Sequence, residues 1–265
     1  MPGTVILTGA NGSSGLHAAA HLLHTYPDFT ALLTVRSAAS TDANTNTLRA
    51  TISRFPASKA SIHEVDLADL SAVHNFTTFV SSSIAQGELP PLQSNPLQRV
   101  LLGPLTFVAH AAMMLRLLEH FDAKHGARVI VVFSVGHFCK PNPMTVYVPG
   151  IPGDLDELVH PWVDEKVRYQ YAKLAATVWC YALNARLQAA SAFPRFSHIT
   201  AVAINPGDSA DSRVFQTNTL AWIRIVVAYI LVPIRPLYRL LVDPTWRPSS
   251  EAGVDIVELA VNHDK

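Results

Sequence analysis

The chain has 265 residues, of which 49% are hydrophobic and 15% charged, enough apolar material for the core of one large globular domain spanning 1–265. Lys plus Arg and Asp plus Glu both number 20, so the formal net charge is zero; no broad basic surface argues for nucleic acid, and a small molecule is the expected partner. Cys139 and Cys180 are too few for a secreted disulfide framework and are wrongly spaced for a zinc knuckle or a redox pair.

The opening "MPGTVILTGANG" lacks the basic start, apolar middle and cleavage site of a signal peptide, so a cytoplasmic address is expected. "TVILT" (4–8) predicts a strand, and "LHAAAHLLHTY" (16–26) a helix with Leu16, Ala19, Ala20 and Leu23 at helical spacing. "TALLTVR" (30–36) and "SIHEVDL" (61–67) predict a second and third strand, and residues 68–85 a second helix. The β/α alternation predicts a doubly wound parallel sheet of Rossmann type, covered by helices.

Between residues 86 and 105 the pattern weakens into proline and turn residues, with only "RVLL" (99–102) resembling a strand. A helix is expected over 105–121, a fully buried strand over "ARVIVVFS" (127–134), a helix over 169–190, a strand over 198–204, and a closing helix over 249–262 that Ser249 or Ser250 would cap. Residues 220–241 are apolar and aromatic but interrupted by Arg224, Pro233, Arg235 and Pro236. Their longest unbroken run falls short of the roughly 20 residues that a transmembrane helix needs. They read as a packing element or substrate-covering lid within 207–241, with peripheral membrane contact as the alternative.

Three places carry chemistry. In "TGANGSSG" (Thr8–Gly15), Gly9 lets the chain leave the first strand tightly and Gly15 brings the helix close, so backbone N–H groups face an anion such as a pyrophosphate. Arg36 ends the second strand, where dinucleotide folds meet the adenosine ribose; a guanidinium there suits a 2′-phosphate, so NADP(H) is preferred over NAD(H), with a solvated strand-end cation as the alternative. Tyr169 and Lys173, four apart on one helix, would place a phenol beside an ammonium that lowers its pKa, as proton transfer requires. Taken alone, that spacing is a common accident.

Ser134 at the end of the most apolar strand, Asp66-Leu67 at the end of the third and Pro206-Gly207 after a later one complete an ordered set. With Gly9 to Gly15 and Tyr169-x-x-x-Lys173, the chain resembles the short-chain dehydrogenase/reductase family over almost its whole length. By that resemblance Tyr169 is the proton donor or acceptor, Lys173 lowers its pKa and holds the nicotinamide ribose, and Ser134 bonds the substrate carbonyl oxygen. Gly9, Asn11, Ser13 and Gly15 form the phosphate turn, Asp66 and Leu67 flank the adenine, and Pro206 and Gly207 flank the nicotinamide.

"GELPPL" (87–92), "DLDELVHPWVDE" with "RYQYAKLA", and "DPTWRPSSEAGVDIVELA" are similar to fungal reductases of secondary metabolism, a likeness that names no substrate; the apolar side chains of 207–241 suggest a hydrophobic one. Homo-oligomers are usual among the proteins it resembles. The departures are Ser13 where the family usually has Gly, a region after residue 92 that is shorter than in those proteins, and Ala109 where an Asn of the proton relay is expected. Two rival readings therefore stay open: a non-catalytic nucleotide-binding relative, and an isomerase or cyclase on the same fold. No metal is expected, because His17, His21 and His24 have helical spacing but no carboxylate completes a cluster, and a solvated outer face explains them. His137 and the polar loop 154–164 are candidates for lining the cleft.

Overall fold

"TVILT" is built of side chains that favour a buried pleated surface, and all five residues of this strand are buried, as befits the centre of a parallel sheet. The computed structural model describes residues 3–97, 104–122, 126–133, 165–189, 194–207, 229, 233–241 and 246–262. They form β1 (Thr4–Thr8), α1 (Ser13–Thr25), β2 (Thr30–Val35), α2 (Ala43–Ser53), β3 (Lys59–Glu64), α3 (Leu70–Ala85) and β4 (Leu92–Leu97). Then follow α4 (Pro104–Leu117), β5 (Ala127–Val132), α5 (Glu165–Gln188), β6 (Ile199–Ile204), α6 (Arg235–Leu241) and α7 (Ser249–Val261). The six strands are all parallel, in the order β3-β2-β1-β4-β5-β6. This is the doubly wound Rossmann arrangement, and the chain reverses direction across the sheet between β1 and β4, where such sheets open a crevice at their carboxyl edge.

Alternation along the strands sends side chains to two cores. Ile6, Leu32, Leu92, Val129 and Val131 meet Val73, Phe76, Met113, Leu117 and Ala176 on one face. Val5, Leu7, Leu33 and Ile130 meet Ala18, Ala19, Leu22 and Val257 on the other. In α1 the buried stripe is Gly15, Ala18, Ala19, Leu22 and Leu23, turned from the expected Leu16/Ala20 face because the helix packs on both the sheet and α7. That packing is close: a Cβ on Gly253 of α7 would lie 2.6 Å from Ala18 N and 2.8 Å from Ser14 O.

Two expectations are corrected and one element is added. The fourth strand is formed by "LQSNPL" (92–97) instead of "RVLL", which lies outside the described residues. Its entry is secured by "GELPPL": Thr4 N donates to Pro91 O (2.9 Å) and Thr4 Oγ1 to Pro90 O (2.7 Å), so the chain is handed to β1 before "RVLL" is reached. Secondly, α7 has Pro248 at its N-cap with no side-chain cap bond, so neither Ser249 nor Ser250 caps it; a proline φ near −65° fits the helix entry without one. Thirdly, α2 went unpredicted because "ANTNTLRATIS" is polar, burying only Thr45, Leu48 and Thr51; its start is fixed by Asp42, whose carboxylate accepts from Asn44 N and Thr45 N. Among the described residues no helix is long and apolar enough to cross a membrane.

Candidate cofactor and active site

The carboxyl edge of the sheet gathers the described candidates. After β1, Gly9 adopts φ 63°, a left-handed conformation natural to glycine, and the turn closes with Gly12 N donating to Gly9 O at 2.8 Å. Ala10 N donates to Thr34 O (3.0 Å), tying the turn to β2. Gly12 caps α1 without a side-chain acceptor, and Ser13 and Gly15 lie in the helix's first turn. This is the arrangement in which amides at a helix N-terminus serve an anion.

Asn11 is buried, and its amide nitrogen donates to Thr45 Oγ1 (2.9 Å), whose hydroxyl donates to Ser37 O (2.9 Å). The glycine turn is thus braided to the corner between β2 and α2. At that corner Arg36 is exposed, and among the described residues it makes no hydrogen bond or ion pair. Arg49, by contrast, is already engaged, donating to the main-chain Ala38 O and to the side-chain Asn46 Oδ1. Asp66 and Leu67 lie just past β3; Asp66 Oδ1 accepts from Ala68 N (2.9 Å) in the turn that opens toward α3, and Leu67 packs against the core.

Lys173 is the most constrained cation here. It projects from α5 to the end of β5, is only 5% exposed, and its ammonium donates to Val132 O at 3.0 Å. Burial lowers its pKa from 10.5 to about 7. Tyr169 lies one helical turn earlier on α5, its side chain outside the described set. Ser134, two residues beyond Val132, also lies outside the described residues, as do His137 and the loop 154–164.

Ala109, at the expected Asn position, is fully buried in α4 and has no group to hold a relay water; beside it His110 Nε2 sits 3.1 Å from Thr8 Oγ1 at the end of β1. Beyond β6, Gly207 has φ 79° and its N–H donates to Asn205 Oδ1 (3.1 Å). Sequence reasoning missed the residue that holds this turn. Arg247 donates through Nε to Pro206 O (2.7 Å) and through Nη2 to Asn205 O (3.2 Å), and its Nη1 pairs with Asp255 of α7. An arginine after the apolar 220–241 stretch was the available signal.

The histidine reading changes in one respect. His17 and His24 are exposed as expected, but His21 Nε2 lies 2.9 Å from Glu258 Oε1, which also accepts from the Tyr26 hydroxyl at 2.9 Å. The carboxylate comes from α7, far along the chain. Desolvation together with Glu258 pushes the Tyr26 pKa up to about 12. Among the described residues no group of three or more His, Cys, Asp or Glu could hold a metal ion.

Residues 5–219 match the model of the NAD dependent epimerase/dehydratase family. The chain belongs to that family. It is an enzyme of the short-chain dehydrogenase/reductase type, and its relatives use a nicotinamide dinucleotide. A curated relative, "Short-chain dehydrogenase iccH" of Talaromyces variabilis, is 23% identical over 97% of this chain and 83% of its own length. Among solved structures, a 3-oxoacyl-[acyl-carrier protein] reductase from Brucella melitensis in complex with NAD superposes with a TM-score of 0.62 at 15% identity, covering 99% of this chain and 91% of that one. YwfH, an NADPH dependent reductase involved in bacilysin biosynthesis, gives 0.60 at 14% identity, covering 100% and 94%. These likenesses carry the fold.

Proposed function

We propose that this enzyme transfers hydride between NADP(H) and a ketone or alcohol carbon of a hydrophobic small molecule, in fungal secondary metabolism. The observation that carries the reading is the Lys173 amine, sunk at the end of β5 on the helix that bears Tyr169. Burying an ammonium to 5% exposure costs stability, and a role in proton transfer gives it a reason to be there. The dinucleotide fits what surrounds it: a tight turn with a left-handed Gly9, a helix start capped by Gly12, and an uncommitted Arg36 at the ribose end.

When bound, the cofactor supplies or accepts the hydride. Tyr169 Oη gives its proton to the substrate oxygen in reduction, and Ser134 Oγ donates a hydrogen bond to that oxygen and so polarises the carbonyl. Lys173, while charged, favours the phenolate and makes Tyr169 the stronger acid. Gly9, Asn11, Ser13 and Gly15 receive the pyrophosphate, Arg36 the 2′-phosphate, Asp66 and Leu67 the adenine, and Pro206 and Gly207 the nicotinamide. Residues 207–241 cover the substrate, and their apolar side chains select a greasy one. The fungal relative and the NADPH-dependent reductase among the structural neighbours support the pathway type and the cofactor.

NADPH loss measured by absorbance over a panel of hydrophobic ketones tests the proposal. Tyr169→Phe is expected to lower turnover by at least about a hundredfold while leaving NADPH affinity within about twofold. Retained turnover would remove the tyrosine from the chemistry. The family description, epimerase/dehydratase, favours one second reading: a net isomerisation or dehydration. Product formed without net loss of NADPH would establish that reading and overturn the reductase.

A further inference from the structure

We propose that Arg247 and Asp255 form a positioning bridge that holds the nicotinamide-side turn at a set separation from the phosphate turn. The inference rests on the cofactor reading above and adds two residues and a physical linkage to it. The bridge can be followed atom by atom. At one end, Gly253 in the first turns of α7 lies against Ser14, His17 and Ala18 of α1, closer than any side chain would permit. This fixes α7 against the helix that begins at the phosphate turn. Two residues along α7, Asp255 pairs with Arg247 Nη1. The other guanidinium nitrogens hold the carbonyls of Asn205 and Pro206.

Those carbonyls need holding. They follow β6, whose pairing with β5 ends at Val132↔Ile204, so past that point the ladder no longer dictates the backbone. The Asn205 side chain closes the turn on Gly207 from within, but that bond lies inside the turn and does not set where the turn sits on the molecule. Arg247 does so from outside, with a planar fork that offers both donors in a fixed geometry; a lysine ammonium lacks that fork. Its side chain is 17% exposed and that of Asp255 46%, so the carbonyl-facing end is the shielded one. The adjacent Trp246 is buried and stacks edge-on against Tyr238 of α6 at 4.2 Å, so residues 246–247 also tie α6 to the same turn.

A dinucleotide spans both turns, whereas 2′,5′-ADP carries only the adenosine and phosphate end. The test therefore compares NADPH and 2′,5′-ADP binding to the full chain and to Arg247→Gln, by NADPH fluorescence and by competition. The expected result is NADPH affinity lowered about tenfold, with 2′,5′-ADP affinity within about twofold of the unaltered protein. Arg247→Lys should recover only part of the loss, because it restores charge but not the fork. Asp255→Asn, which leaves the carbonyl bonds in place, should shift NADPH affinity in the same direction by less, and it keeps the test decisive if Arg247→Gln fails to fold. Equal weakening of both ligands by these variants, or no weakening of either, overturns the bridge. Failure of the unaltered protein to bind NADPH at all would overturn the underlying cofactor reading, and this inference with it.

Discussion

Replacing Lys173 with Met would keep much of the side chain's volume and delete the ionisable group, which isolates what its burial costs. The Lys173 pKa falls from 10.5 in the unfolded chain to about 7 in the fold, because burial desolvates the ammonium. Below pH 7 both states hold the proton, and the fold carries the full penalty. Between pH 7 and 10.5 the unfolded chain keeps a proton that the folded one has released, so stability rises with pH, by about 1.4 kcal/mol per unit. Above 10.5 both states are neutral and the penalty is gone. In urea unfolding without nucleotide, followed by tryptophan fluorescence, Lys173→Met should therefore gain most over the unaltered protein at pH 7 and below. That advantage should shrink by about 2–3 kcal/mol on going to pH 9. Stability curves that run parallel across this range would refute a desolvated lysine at this position.

Two further outcomes follow from single residues. Arg36→Asp should weaken NADPH by about tenfold or more, through loss of the cation and repulsion of the 2′-phosphate, while NADH changes by less than about threefold; equal losses in a fluorescence titration would count against the assignment. Gly253→Ala would place a methyl group 2.6–2.8 Å from backbone and Cβ atoms of α1. The helix propensity gained, about 1 kcal/mol, is outweighed by an overpacking cost of about 1–3 kcal/mol and by displaced helices, so the thermal midpoint should fall by a few degrees. A higher midpoint would show that α1 and α7 are not in the close contact described.

Most of the sheet was legible because buried parallel strands must be nearly continuous in apolar side chains, as "TVILT", "TALLTV" and "ARVIVV" are. α2 was not legible, since its helicity rests on an Asp42 cap and only a thin buried stripe, and neither produces an apolar period. β4 failed for the converse reason. "LQSNPL" has a strand's position but not its composition, and its place is decided by Thr4 gripping Pro90 and Pro91 and by Gln93 Nε2 donating to Gly126 O. Within the site, the left-handed turn at Gly9 could be placed from its position after the first strand, whereas the spacing of Tyr169 and Lys173 carried weight only through its order with the other motifs. Arg247 and Glu258 could not be placed, because each acts on a segment remote in sequence: the turn after β6, and His21 with Tyr26 of the first α-helical unit.

The shortened stretch after residue 92 has a structural answer that also bears on the cleft. A central strand containing Pro96 has no N–H to donate at that residue. β4 nevertheless pairs with β5 from Ser94↔Arg128 to Leu97↔Val131, while its register against β1 runs through Thr4↔Leu92 and Val5↔Ser94 and shifts between them. The carboxyl end of β1 is therefore supported differently from its start. Thr8 is fully buried there, and a buried hydroxyl needs a partner; His110 of α4 supplies one at 3.1 Å. The glycine turn begins at the next residue, so a contact between β1 and α4 stands directly beneath it. The helix position where an asparagine of the proton relay was expected carries Ala109 facing the core, and the polar group beside it faces β1 instead. In this chain α4 therefore lends the His110 side chain to the root of the glycine turn.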